Sequence, residues 1–314
     1  MNRLALILAA LLIGAATPPP AASTGSIRLN DLTDDFERFW ERSQSLAQGA
    51  RVAAFKAEFA TLIPGFYDPA RLQLDDPGFY DKNVAGVLGG YPRQRDGVRE
   101  VSRRFAGLLA PAQASFERAL GPFAAPQTVY LVHSLGEMDG GTRTLSGKTV
   151  LIFGAEVIAR LHLGHDIQPF FHHELFHIRH ADAFRECDPL WCGLWTEGLA
   201  TYAAATLNPG ATDAELLLSE PEPIRAAVAA NRKEAVCTIL ARLDSTDRDA
   251  GRALFSYDRL NERLPPRFGY YVGYLAAAEA GKTRSLKQLA QLPRDEVRPL
   301  LEASLRALET CPAA

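Results

Sequence analysis

The sequence predicts an α+β fold that is mostly helical, with a small β-sheet preceding one histidine-bearing helix and helical flanks on either side. Three observations carry that expectation. Near the start, apolar residues recur at helical spacing, as in Phe36, Trp40, Leu46, Ala53, Phe55 and Phe59. In the middle, Thr128 to His133 (TVYLVH) and Thr149 to Phe153 (TVLIF) are short, apolar and β-branched. After them the helical texture returns and persists to the end of the chain.

The first helical stretch runs from Leu32 to Ala60 and stops at Pro64, Gly65, Asp68 and Pro69. A turn-rich segment from Asp75 to Pro92 leads into a second helical stretch, Gly97 to Leu120, which Pro111 is expected to interrupt. The two strands follow, joined by the glycine-rich residues Gly136 to Gly147. Helices are then expected at Ala155 to Leu163, Gln168 to Asp182 and Leu194 to Thr206. The remainder, Ala211 to Leu308, is helical between Pro221, Pro223, Pro265 and Pro266. There is no internal repeat or low-complexity linker. The expected organisation is therefore a leader at 1–22, an N-terminal helical region at 27–122, a core at 125–210, and a C-terminal helical region at 211–314 that completes the same domain.

With 314 residues, 47% of them hydrophobic and 23% charged, the chain is long enough to bury a sizeable core. The formal net charge of −3 and the scattered placement of 34 basic residues argue against a broad nucleic-acid surface. The densest basic stretch, Arg93 to Arg104, also carries Asp96 and Glu100 and reads as a solvated helix face.

Arg3, the apolar run Leu4 to Leu12 and the small residues Gly14-Ala15-Ala16 have the layout of a secretory signal peptide. The run is shorter than the ~20 residues a bilayer span needs, and Pro18, Pro19 and Pro20 follow it. An exported protein, periplasmic or extracellular, with no transmembrane segment after signal removal is expected. Export makes the four cysteines candidates for two disulfides, with three possible connectivities. The favoured pairs are Cys187–Cys192, closing a short loop, and Cys237–Cys311, tying down the C-terminus. A four-cysteine zinc site lacks the usual CxxC spacing.

The segment that carries chemistry is His173-Glu174-Leu175-Phe176-His177. On a helix, residues four apart differ by about 40° in direction and about 6 Å in rise, so two imidazoles can converge on one ion. Glu174 lies about 100° around from His173, where it flanks the site without filling it. That division suits a hydrolytic zinc site. Glu197, in Trp195-Thr196-Glu197-Gly198-Leu199-Ala200, lies twenty residues beyond His177 on the next predicted helix and is the favoured third ligand. Glu186 and Asp188, in the connecting loop, are the alternatives. His180 shares a face with His173 and His177, but three ligands on one helix enclose a metal poorly. His162, His165 and His172 read as outer or surface residues. The metzincin pattern fails, because it needs glycine at 180 and histidine at 183, where this chain has His180 and Ala183.

On these residues the chain resembles the gluzincins, the peptidase clan that includes the thermolysin and aminopeptidase N families. It is closer still to a group of bacterial predicted zinc-dependent peptidases. The matching pieces are Gly140-Gly141-Thr142, Ile152-Phe153-Gly154, His173 to His177, Thr196 to Ala200, and Gly269-Tyr270-Tyr271-Val272-Gly273-Tyr274, within roughly Thr128 to Ala290. The resemblance implies a zincin-like core and one zinc ion held by His173, His177 and Glu197. It also implies that Glu174 takes the proton of the activated water and passes it to the leaving amine. Tyr270 is the candidate partner for the developing oxyanion, with an aromatic core stripe as its structural alternative. Gly269 and Gly273 would let its helix approach closely, with Tyr274 on the same face. The strand Thr149 to Phe153 is expected to offer its edge to an extended peptide. Gly136-Glu137-Met138-Asp139-Gly140 is similar to the Gly-Ala-Met-Glu-Asn exopeptidase motif of aminopeptidase N, but Asp replaces Glu and Gly replaces Asn, and it reads as a hairpin turn. The resulting expectation is an exported zinc metallopeptidase acting on a peptide or protein. The alternatives are a zinc hydrolase of a non-peptide amide or ester, or a catalytically silent binding protein on the same fold.

Overall fold

A computed structural model describes residues 27–72, 76–184 and 187–312; the leader and Glu186 lie outside them. In chain order the elements are β1 (Ile27–Asp31), α1 (Thr33–Arg42), α2 (Gln48–Leu62), α3 (Pro77–Gly90), α4 (Arg95–Leu120), β2 (Gln127–Val132), β3 (Gly140–Leu145), β4 (Lys148–Gly154), α5 (Ala155–Leu161), α6 (Gln168–Phe184) and α7 (Leu190–Leu207). The C-terminal part adds α8 (Ile224–Ala230), α9 (Arg232–Leu240), α10 (Arg248–Phe255), α11 (Phe268–Ala280), α12 (Leu286–Leu289) and α13 (Arg294–Leu308). The class is α+β and mostly helical, as the sequence pattern predicts.

The two β-branched runs are β2 and β4, which pair in parallel. The stretch between them is not merely a connection. Its second half is β3, antiparallel to β4, and the two close through Ser146 and Gly147, both with positive φ. Two such residues suit a tight two-residue hairpin. The sheet order is β1-β2-β4-β3, so β4 is interior. This corrects the expectation that Thr149 to Phe153 offers an edge; the edge strand on that side is Gly140–Leu145.

Other departures have local causes. β1 joins the sheet from the otherwise helical N-terminal region by pairing with β2. The turn-rich stretch after Asp75 contains α3, whose four glycines mask a buried stripe of Tyr80, Val84 and Leu88. Asp76 starts that helix by accepting a hydrogen bond from the Gly78 N–H at 2.8 Å. The helix α4 passes through Pro111 without a break. Pro111 and Gly107, four residues earlier, both lie on the exposed face. There the carbonyl that loses its partner can turn to water. Inward, Val98, Val101, Phe105, Leu109, Ala112, Phe116 and Leu120 form one buried stripe.

This core holds α6 beneath the sheet. Phe170 packs against Phe153 of β4 with ring centroids 5.7 Å apart, and Phe171 against Phe105 of α4 at 5.3 Å. The helix α7 returns alongside α6, and its first turn donates from the Leu190 and Trp191 N–H groups to the carbonyls of Ser245 and Leu243. Both expected disulfides are present, Cys187–Cys192 across the turn into α7 and Cys237–Cys311 between α9 and the C-terminal end. They are compatible with an oxidising, exported location. Among the described residues no helix is long and apolar enough to cross a membrane.

Candidate metal centre

Helix geometry places His173 and His177 on one side of α6, with their Nε2 atoms 3.1 Å apart. Glu197 comes from α7, and its Oε2 lies 3.3 Å from the His173 Nε2 and 3.5 Å from the His177 Nε2. Among the described residues this is the group of His, Cys, Asp and Glu side chains able to hold a metal ion. The three spacings provide a fit test. Ligand atoms about 2.0–2.1 Å from a tetrahedral ion stand about 3.3 Å from one another, and the observed values scatter around that figure. Two imidazole nitrogens and a carboxylate oxygen are also a zinc donor set that leaves a fourth position open. Neither alternative ligand joins the cluster: Asp188 is exposed in the turn before α7, and Glu186 is not described.

The position of Glu197 depends on its neighbour. Gly198 lies where α11 crosses α7, and a Cβ there would stand 2.2 Å from the Gly273 carbonyl carbon. Two glycines therefore let the helix backbones meet, and this crossing brings Tyr270 over the site. The Tyr270 ring stacks on His173 with centroids 6.1 Å apart. Tyr274 turns elsewhere, onto Tyr271 and Tyr202.

Glu174 is buried against the start of β3. A Cβ at Gly140 would lie 2.8 Å from the Glu174 Cδ, so only glycine lets the strand pass so close. The loop leading to Gly140 is pinned by Glu156, which accepts from the Ser134 N–H, the Ser134 hydroxyl and the Gly136 N–H. Asp139 in that loop pairs with the His162 Nε2 at 2.8 Å. The neighbouring Glu137 is held by Arg71 and Arg143, so it is committed to ion pairs. The Glu174 Oε2 and the His173 Nδ1 are buried without a partner.

The charges explain the ionisation. Burial pushes the Glu174 carboxyl up to about 8. Burial opposes a charge on His177, but the Glu197 carboxylate outweighs it and lifts the imidazole to about 9. Burial keeps His173 below its ordinary value. Glu197 resists burial because the two histidines face it, and its carboxyl falls well below the usual range. Burial, aided by Glu197, raises the Tyr270 phenol and keeps it protonated.

The remaining histidines have other work. His172 bridges Ser115, the Ala112 carbonyl and Asn208 in the core. His180 is buried between Phe176 and Phe184 with neither ring nitrogen bonded. His165 is exposed.

Sequence reasoning passes over Arg267, three residues before Tyr270. It adopts a left-handed backbone (φ 62°) as the residue preceding α11. Its guanidinium lies 4.7 Å from the centre of the Tyr270 ring. The signal available was an arginine directly after Pro265-Pro266, at the head of the tyrosine-bearing helix. Compared with known proteins, the chain matches no family model, no curated protein and no solved structure.

Proposed function

We propose that this chain is an exported zinc-dependent metallopeptidase whose metal ligands are His173, His177 and Glu197. The observation that carries the reading is the convergence of three ligand atoms at 3.1–3.5 Å beside a buried glutamate with an unpartnered oxygen. A zinc ion held there would supply Lewis acidity, lowering the pKa of water toward about 7 and polarising a carbonyl oxygen.

The chain's own groups supply the rest. Glu174 accepts a proton from the attacking water and returns it to the leaving nitrogen. A cation beside it counters the burial that raises its pKa. Tyr270, kept protonated, donates toward the developing oxyanion. The outer edge of β3, beginning beside Glu174, offers backbone groups to an extended substrate. The disulfides and the N-terminal leader pattern support export.

One preparation tests this reading. Bound zinc is measured, and hydrolysis of a quenched peptide library is compared between wild type, Glu174→Gln and Tyr270→Phe. The expected result is one zinc per chain in all three, cleavage lost in Glu174→Gln, and cleavage strongly reduced in Tyr270→Phe. Stoichiometric zinc with no Glu174-dependent cleavage would remove the peptidase reading and leave the metal site standing.

A further inference from the structure

A cavity of ≈ 570 Å³ is lined by Tyr270, the residue that stacks on His173, and by Arg267, Asp139, Arg143 and Arg160. Its charges are unevenly committed. Asp139 is paired with His162, and Glu137 is shared between Arg71 and Arg143. Glu220, also on the lining, is exposed at the rim. Arg267 is half-buried and donates to the Glu220 backbone carbonyl at 3.1 Å. It also hydrogen-bonds the Tyr270 hydroxyl and lies over the faces of Tyr270 and Tyr257. Among the described residues no carboxylate stands within ion-pair distance of it.

A guanidinium presents five donors in a planar fork that matches a carboxylate, and the Glu220 carbonyl and the Tyr270 hydroxyl do not use all of them. Holding it in place also requires a left-handed backbone at a non-glycine residue, which costs about 1–2 kcal/mol. Arg267 and His173 both lie against the Tyr270 ring, 4.7 and 6.1 Å from its centre, so they stand within about 11 Å of each other. One or two residues of extended peptide, at ~3.4 Å each, together with a side chain, cover that distance.

We propose that Arg267 is a specificity-determining residue and that this cavity receives a carboxylate of the substrate, next to the bond presented to the metal centre. The proposal rests on the peptidase reading for the word substrate, but the binding itself does not require turnover. Two sources share this chemistry. A free C-terminus would make the enzyme remove residues from peptide ends, and an Asp or Glu side chain would direct cleavage within a chain.

The test uses the full chain after chelation, so that no cleavage occurs. Calorimetry compares matched short peptides: one with a free C-terminus and no acidic residue, its C-terminal amide, and an amidated peptide with an internal Glu or its Gln counterpart. At least one carboxylate peptide should bind about tenfold or more tightly than its neutral partner. Arg267→Gln should erase the difference. The pair that discriminates identifies the source. Equal binding within both pairs, or discrimination that survives Arg267→Gln, overturns the proposal. A second measurement needs no variant: phenylglyoxal labelling of Arg267 in the wild-type chain, read by peptide mass spectrometry. The favoured carboxylate peptide should slow it and the neutral partner should not; equal labelling overturns the proposal. Discrimination without Glu174-dependent cleavage sinks the peptidase reading alone. Cleavage without discrimination sinks the carboxylate pocket alone.

Discussion

Replacing Gly198 by alanine tests whether the α7–α11 crossing sets the metal centre. The new Cβ would lie 2.2, 2.4 and 2.6 Å from the carbonyl carbon, Cα and oxygen of Gly273. These are backbone atoms that cannot rotate away, so the helices must separate by on the order of 1 Å to restore ordinary contact. Overpacking of this kind costs ~1–3 kcal/mol, while alanine returns ~1 kcal/mol of helix propensity. A net loss of about 1–2 kcal/mol is expected. Gly86 provides the control, since it is exposed in α3 and a Cβ there meets nothing within 4 Å. Gly86→Ala should stabilise by up to ~1 kcal/mol. Because Glu197 and Tyr270 ride on the two separating helices, zinc affinity in Gly198→Ala should fall by about tenfold or more, as ligand distances must hold within about 0.2 Å. The assays are urea unfolding of the chelated chains and zinc titration against a competing chelator. If Gly198→Ala gains stability as Gly86→Ala does and binds zinc as wild type does, the crossing is not what positions Glu197.

Zinc affinity should itself rise with pH, by about tenfold per unit up to about 9, because a proton on His177 competes with the ion for the same nitrogen; a flat competition titration between pH 6 and 8 would contradict this. Stability of the chelated chain should fall as the pH drops below ~6.5. The reason is that His180, held down by burial to about 3, and His133, His172 and His173, also lowered by burial, resist protonation in the folded state while the unfolded chain takes up protons. His180→Met should therefore make the stability slope between pH 6.5 and 4 shallower by about one proton's share, and an unchanged slope removes His180 as a cause. Reducing the Cys237–Cys311 bond, which spans 74 residues, should cost ~4 kcal/mol by loop entropy, read as a lower unfolding midpoint for the Cys237→Ser, Cys311→Ser double variant.

Legibility followed locality. The runs at Thr128 and Thr149 are readable because each is a continuous, mostly apolar stretch with several β-branched residues, buried over most of its length. By contrast β3, Gly-Gly-Thr-Arg-Thr-Leu, has one apolar residue and two glycines. It is a strand only because the Ser146-Gly147 turn folds it onto β4. The helix α3 hid behind its glycines, since propensity weighs against it and tertiary burial of Tyr80, Val84 and Leu88 overrides that. The expected helix from Leu32 to Ala60 is two helices, α1 and α2, because apolar spacing continues across the break at 43–47.

The same distinction runs through the metal centre. His173, Glu174 and His177 share one turn of one helix, so their spacing already fixes their mutual geometry. Glu197 depends on the return of α7, and the sequence offers only its distance and its neighbour. The structure gives that neighbour a physical meaning: Gly198 is the point at which a third helix can pass at backbone contact, so Glu-Gly marks a ligand together with the crossing that covers it. Arg267 has no such local mark. Its side chain reaches the centre through a left-handed turn after two prolines, at the end of a helix whose position Gly198 and Gly273 decide. A charge placed by that chain of dependencies is invisible to spacing arguments, and substitutions at the glycines should disturb the carboxylate cavity and the metal site together.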